Sequence, residues 1–359
     1  MPRVVIAAGG TAGHVVPALA VADALAERGA EVSFIGTRER AEAKLVPAAG
    51  YEIDFLAVTG MDRKNPLRAA AALGRAAVGV GAARKLLRSR GADAVMGGGG
   101  YVAAPAGLAA VGMRIPLVLT EADSHLGLTN RALAPRARRV CLAFPIPGRE
   151  GPRYLLTGRP VPAAVVSADR GAARRRFGIA PDERCLLIFG GSLGALSINR
   201  AAAEAFGPGG PGAERDFHVL HITGARDHPE IAERLAEAGR YTLLEYEPDL
   251  GDVLAAADLV LARSGGSIFE LTAAGRPAIL VPYPYASADH QHANARWMAE
   301  AGAAVVVEDS DLDPARLAAD ASELLADEER LAAMAAAARS LAKPDAARRI
   351  AAEILGVCG

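Results

Sequence analysis

Cysteine is scarce in this chain of 359 residues: Cys141, Cys185 and Cys358 lie far apart, and no two form a CxxC pair. That excludes a disulfide framework and a thiolate zinc site, and it predicts reduced thiols in a cytosolic protein. An excess of either charge is lacking too. Lys plus Arg number 40 against 41 Asp plus Glu, a formal net charge of −1, which excludes a strongly basic nucleic-acid binder on bulk charge. No uncharged apolar run of about 18 residues occurs, so no bilayer span is expected. The N-terminus enters the apolar run Val4-Val5-Ile6-Ala7 almost at once, so no signal peptide is expected. The chain has no low-complexity tail, and no DxD-like metal motif stands in a suitable loop.

What the chain has is glycine in a recurring place. Hydrophobic residues make up 51% and charged residues 23%, a globular composition long enough for two domains. Much of the hydrophobicity is alanine, which blurs helix boundaries. Short β-branched runs alternate with longer Ala/Leu/Arg segments, the α/β pattern of parallel sheets flanked by helices. Strands are predicted near 3–8, 31–35, 92–96, 116–119 and 138–142. A second series starts at Leu186 and continues at 218–222, 241–245, 259–262, 278–281 and 303–307. The Pro/Gly-dense stretch from Phe144 to Pro162 reads as an interdomain linker rather than a central strand. Residues 314–342 read as helix former throughout, and 346–355 as a last amphipathic helix.

Three of the strands run into glycine turns: Gly9-Gly10-Thr11-Ala12-Gly13-His14, Gly97-Gly98-Gly99-Gly100-Tyr101 and Gly190-Gly191-Ser192-Leu193-Gly194-Ala195. Such turns let backbone N–H groups approach a ligand, with a helix N-terminus behind them. Three copies predict two nucleotide-type halves and a ligand carrying a diphosphate. A dehydrogenase fits poorly. The turn at Gly9 lacks the GxGxxG spacing, and the second strand closes on Phe34-Ile35-Gly36-Thr37 without an acid.

His14 stands at a helix start, with Pro17 read in the first turn where proline is tolerated. A helix N-terminus disfavours imidazolium, so this histidine is a candidate proton acceptor; the alternative is a surface histidine without chemistry. In Ser264-Gly265-Gly266-Ser267-Ile268-Phe269-Glu270, the carboxylate of Glu270 could accept the hydroxyls of a ribose. Ser267-x-x-Glu270 reads equally well as a capping box. Asp289-His290-Gln291-His292 and Asn294 follow a strand, where side-chain amides and imidazoles suit sugar hydroxyls better than a metal. Residues 62–90 carry Arg63, Lys64, Arg68, Arg75, Arg84, Lys85, Arg88 and Arg90 against Asp62. A basic segment of this kind can lie on anionic lipid, although a solvated helix face is the commoner meaning.

Taken in order, the Gly9–His14 turn, Gly98–Val102 with Pro105–Ala109, Gly127-Leu128-Thr129-Asn130, Gly190–Ala195 and Arg263-Ser264-Gly265 with Glu270 resemble the MurG family, from about residue 3 to about 350. These are bacterial UDP-N-acetylglucosamine:lipid I N-acetylglucosaminyltransferases. The resemblance implies an α/β GT-B fold of two Rossmann-like domains facing a deep cleft. Residues 1–158 would form the acceptor side with 344–359 packed back on it, and 159–343 the UDP-sugar side. It implies inverting transfer from UDP-N-acetylglucosamine to the muramoyl 4-hydroxyl of undecaprenyl-diphosphate-linked muramoyl-pentapeptide. No cofactor, metal or nucleic acid is expected, and the place of work would be the anionic cytoplasmic face of the cell membrane. His14 falls on the general base. Thr11, Ala12, Gly13, Asp123, Arg159, Ser192, Glu247, Glu270 and Gln291 fall on the donor side, with His292 in place of Gln291 if the register slips by one. Gly10, Gly99, Gly100, Tyr101 and Asn130 fall on the acceptor diphosphate, and Thr11 lies near it. The chain departs from the family pattern at Ala12 for glycine, at Thr120-Glu121-Ala122-Asp123 for His-Glu-Gln-Asn, and at Arg159-Pro160-Val161-Pro162 for Asn-Pro-Val-Arg. A positive φ at Ala12 would cost about 1 kcal/mol. The other two departures touch donor affinity and acceptor identity. They leave room for a transferase on another acceptor, a UDP-sugar epimerase, or a non-catalytic sugar-nucleotide scaffold.

Overall fold

The computed structural model describes residues 1–58, 66–191, 193–236, 238–286 and 289–358, with backbone alone for 66–77. The chain forms two compact units, Met1–Pro162 with Lys343–Gly359, and Ala163–Ala342. The first boundary thus falls four residues after Gly158, and Arg159 belongs to the first unit.

The first unit is built on seven parallel strands: β1 Arg3–Ala7, β2 Glu31–Gly36, β3 Glu52–Phe55, β4 Ala94–Gly97, β5 Leu117–Glu121, β6 Arg139–Leu142 and β7 Tyr154–Leu156. Their order is β3-β2-β1-β4-β5-β6-β7. Val4, Val5 and Ile6 are apolar on both faces because β1 lies between β2 and β4 with helices on either side. Among the described residues, the helices that connect these strands are α1 Ala12–Ala26, α2 Glu42–Ala48, α3 Pro66–Arg90, α4 Ala103–Met113 and α5 Leu128–Leu133. The C-terminal helix, Ala346–Leu355, returns to this unit and buries Ile350, Ala351 and Ile354 against Val15, Val21 and Leu25 of α1. The return is tight: a Cβ on Gly158, whose φ is +85°, would lie 2.4 Å from the Lys343 Cβ.

The second unit repeats the plan with six parallel strands in the order β10-β9-β8-β11-β12-β13. They are β8 Cys185–Phe189, β9 His218–Ile222, β10 Tyr241–Leu244, β11 Leu259–Ala262, β12 Ala278–Leu280 and β13 Ala304–Val306. Its helices are α6 Ala163–Ser167, α7 Arg170–Phe177, α8 Leu196–Phe206, α9 His228–Arg234, α10 Leu250–Ala256, α11 Ile268–Ala274, α12 His290–Glu300, α13 Pro314–Ala326 and α14 Glu328–Leu341. In both units the order reverses beside the first strand, between β1 and β4 and between β8 and β11. That reversal is where open α/β sheets hold ligands.

Five points differ from the sequence reading. The stretch read as a linker contains β7, and β3 went unread; both are short edge strands. The helix expected over 314–342 is two, because Asp327 leaves helical geometry and its carboxylate accepts from the Arg330 N–H as an N-cap. Pro17 lies in the second turn of α1, not the first. Ala12 opens α1 and is not among the described residues with positive φ, so the glycine penalty does not arise.

Candidate active site

In the first unit, the turns after β1 and β4 close on each other. Gly100, at φ +76°, packs so near Gly9 that a Cβ would meet the Gly9 carbonyl oxygen at 2.1 Å, and one on Gly99 would meet His14 Cδ2 at 2.5 Å. Only glycine fits either place. Gly10 is also left-handed, at φ +105°. Its N–H, expected to face a phosphate, donates instead to Glu42 Oε2 at 2.9 Å. The other oxygen of this fully buried carboxylate accepts from the Thr37 N–H at 2.9 Å and the Thr37 hydroxyl at 2.6 Å. Glu42 therefore ties the first glycine turn to the end of β2. Tyr101 joins the same corner, its hydroxyl 3.5 Å from that of Thr37.

His14 is half-buried in the first turn of α1, with Nδ1 3.5 Å from the exposed Thr11 hydroxyl. Burial lowers its pKa most, the Arg159 guanidinium lowers it further, and the Asp123 and Glu42 carboxylates oppose both. The imidazole is therefore neutral at neutral pH and able to accept a proton. Arg159 is held by Nη2 donating to the Gly13 carbonyl at 2.6 Å. His14, Gly13, Gly99, Arg159, Glu121 and Ala122 line one pocket inside the first unit.

At the end of β5 the organiser is Glu121. Its buried carboxylate accepts from the N–H groups of Ala122, Asp123 and Gly127 and from Asn130 Nδ2. Burial still outweighs these donors and raises its pKa. Asn130, expected at the acceptor diphosphate, also gives Nδ2 to the Thr120 carbonyl. Its amide thus shapes the loop that carries Asp123.

In the second unit the turn after β8 is equally crowded. Gly194, at φ +73°, presses on the residue that follows β9: a Cβ would lie 2.0 Å from the Thr223 carbonyl oxygen. Ser192 lies outside the described residues. Behind the turn, Asn199 Nδ2 donates to the Thr223 carbonyl and to Asp227, and its Oδ1 accepts from His221 Nε2 at 3.0 Å. This fixes the tautomer, so His221 Nδ1 accepts from the Tyr241 hydroxyl at 2.7 Å. Complete burial keeps His221 neutral, with its pKa pushed down to about 3.

Glu270 sits in the first turn of α11, and the Ser267 side chain makes no cap bond, so that half of the capping box is not formed. Gln291 Oε1 accepts from the Tyr283 N–H, and its amide nitrogen would be 3.7 Å from a Cβ on Gly265. His292 is drawn away instead, between Asp289 and Glu308, and the Glu308 carboxylate raises its pKa most. Of the two, Gln291 faces the turn. Glu247 is committed elsewhere: it accepts from Arg176 Nη2 at 2.6 Å and from the Asp249 N–H. Sequence reasoning missed Glu42, Thr37, Asn199, His221 and the Arg263–Asp309 ion pair of 2.6 Å, which also engages the Ser197 hydroxyl. None of these pairings has a local signature, because each joins residues on different elements.

Residues 4–142 match the N-terminal domain of glycosyltransferase family 28, and residues 185–350 match its C-terminal domain. A UDP-N-acetylglucosamine–N-acetylmuramyl-(pentapeptide) pyrophosphoryl-undecaprenol N-acetylglucosamine transferase of Moorella thermoacetica is 42% identical, over 98% of each chain. The enzyme of that name from Acidithiobacillus ferrooxidans is 44% identical, over 99% of this chain and 98% of its own. The crystal structure of Acinetobacter baumannii MurG superposes with a TM-score of 0.78 at 30% identity, covering 99% of this chain and all of that one. Two parallel sheets with the same reversal of strand order, and identity of this depth over both halves, lead to one assignment: the chain is a family 28 glycosyltransferase of the MurG family.

Proposed function

We propose that this protein transfers N-acetylglucosamine from UDP-N-acetylglucosamine to the 4-hydroxyl of the muramoyl sugar of lipid I, releasing lipid II and UDP. The names of the relatives give the sugar that is moved and the lipid-linked acceptor. The observation that carries the chemistry is a half-buried histidine between two glycine turns, where burial favours its neutral form. With Nδ1 turned to Thr11, Nε2 takes the hydroxyl proton as the oxygen attacks the anomeric carbon. The bond to the UDP oxygen breaks, the anomeric centre inverts, and UDP leaves with the electron pair. The negative charge that develops on the diphosphate is met by backbone amides and the N-terminus of α8 behind the Gly190–Ala195 turn. Glu270 takes the ribose hydroxyls and Gln291 the sugar hydroxyls. Transfer on these terms draws on amide dipoles and needs no metal.

The acceptor carries a lipid, so the protein works as a peripheral protein at the cytoplasmic face of the membrane. None of the described helices is long and apolar enough to cross it. The exposed face of α3 bearing Val78, Arg84, Lys85 and Arg88 supports contact with anionic lipid. Co-sedimentation with anionic but not zwitterionic vesicles is the expected outcome, and equal binding to both would remove that part of the reading. The transfer itself is tested by UDP release with a soluble lipid I analogue. Release should depend on the acceptor, persist in EDTA, and show a raised donor KM in Glu270→Ala. Donor binding without acceptor-dependent release would overturn it.

A further inference from the structure

Helix α1 carries a proline in its second turn. The N–H that would have bonded the carbonyl four residues earlier, that of Gly13, is missing. Arg159 replaces it: its Nη2 donates to the Gly13 oxygen at 2.6 Å. The arginine follows Gly158, whose close approach to Lys343 pins the backbone at that point. The guanidinium is thereby fixed over the first turn of α1, in the pocket that His14 lines.

Asp123 stands on a separate support. Its N–H donates to Glu121 Oε1 at 3.2 Å, and Glu121 is itself held by Gly127 and Asn130. The charges acting on His14 come from three elements: Arg159 from the segment after β7, Asp123 from the β5–α5 loop, and buried Glu42 from α2. The first turn of α1 contributes no acid of its own.

We propose that Arg159 and Asp123 are opposed positioning charges that set the protonation of His14, with Pro17 leaving open the carbonyl that anchors the arginine. The arginine disfavours imidazolium and the aspartate favours it, so the two charges act on the burial-lowered base in opposite directions. This rests on His14 being the base, but the titration of His14 can be read without substrate.

The test is an NMR titration of the His14 ring, assigned with His14→Gln, in wild type, Arg159→Gln, Asp123→Asn and the double variant. The midpoint should move up in Arg159→Gln, move down in Asp123→Asn, and lie between the two in the double variant. Arg159→Lys should stay closer to wild type than Arg159→Gln. In the transfer assay the acidic limb of kcat/KM should move the same way in each variant. A midpoint unmoved in Arg159→Gln, or moved up in Asp123→Asn, would overturn the proposal. Asp123→Asn lies on a different loop and carries the test alone should Arg159→Gln not fold. If the midpoints move as stated but no lipid I turnover occurs, the charge pair stands and the transferase reading fails.

Discussion

His14 and His221 are both kept neutral by burial, yet they do different work. His14 reaches a pocket and must gain and lose a proton there. His221 is sealed, donating to Asn199 and accepting from Tyr241, and holds the N-terminal turn of α8 against the end of β9. Its cost appears at low pH. The unfolded chain protonates this imidazole near 6.5, whereas the folded chain resists until about 3. Stability is therefore present above the unfolded pKa and lost as the pH falls between those values, by up to about 1.4 kcal/mol per pH unit. Urea denaturation at pH 7 and pH 5 should show that loss, and a variant of His221 without a titratable ring should lose less between the two. An unchanged pH slope in that variant would show that other groups govern the acid limb.

The glycine turns are the elements that make the site, and backbone freedom alone does not explain them. Gly29 and Gly100 have nearly equal φ, +78° and +76°, but a Cβ on Gly29 would meet nothing within 4 Å. One on Gly100 would lie 2.1 Å from the Gly9 carbonyl oxygen. Gly29→Ala should cost about 1 kcal/mol, the conformational term. Gly100→Ala should cost about 2–4 kcal/mol in all, because overpacking against backbone is added. Equal losses in the two variants, measured by thermal unfolding, would mean that the turns do not touch as described. These turns could be read from the sequence, since a glycine run after a β-branched run has a local physical meaning. The edge strands β3 and β7 could not, because three or four residues paired on one side leave too short a pattern. Nor could the break at Asp327, where one capping carboxylate outweighs a long run of good helix formers.

At the scale of the whole chain, two units follow one plan, and the plan was legible from the alternation of strands and helices. Its supports were not. The first unit ties its glycine turn with Thr37 and Glu42 beyond β2. The second ties its own with Thr223 and Asp227 beyond β9, working through Asn199. In the first unit Glu42 of α2 bonds the turn directly, and in the second Asp227 acts through Asn199; both are long-range pairings that no local pattern announces. The same limit bears on the site residues: Glu247 is engaged by Arg176 and the N–H of Gly10 by Glu42, pairings between distant residues.

The central claim is that His14 is the base of a lipid I glycosyl transfer. It is tested most directly by kcat for UDP release with a lipid I analogue, wild type beside His14→Ala, with UDP-N-acetylglucosamine affinity measured on both. The account predicts unchanged donor affinity and a kcat lowered by about 10²–10⁴-fold. A His14→Ala variant that turns over within a few-fold of wild type would contradict it.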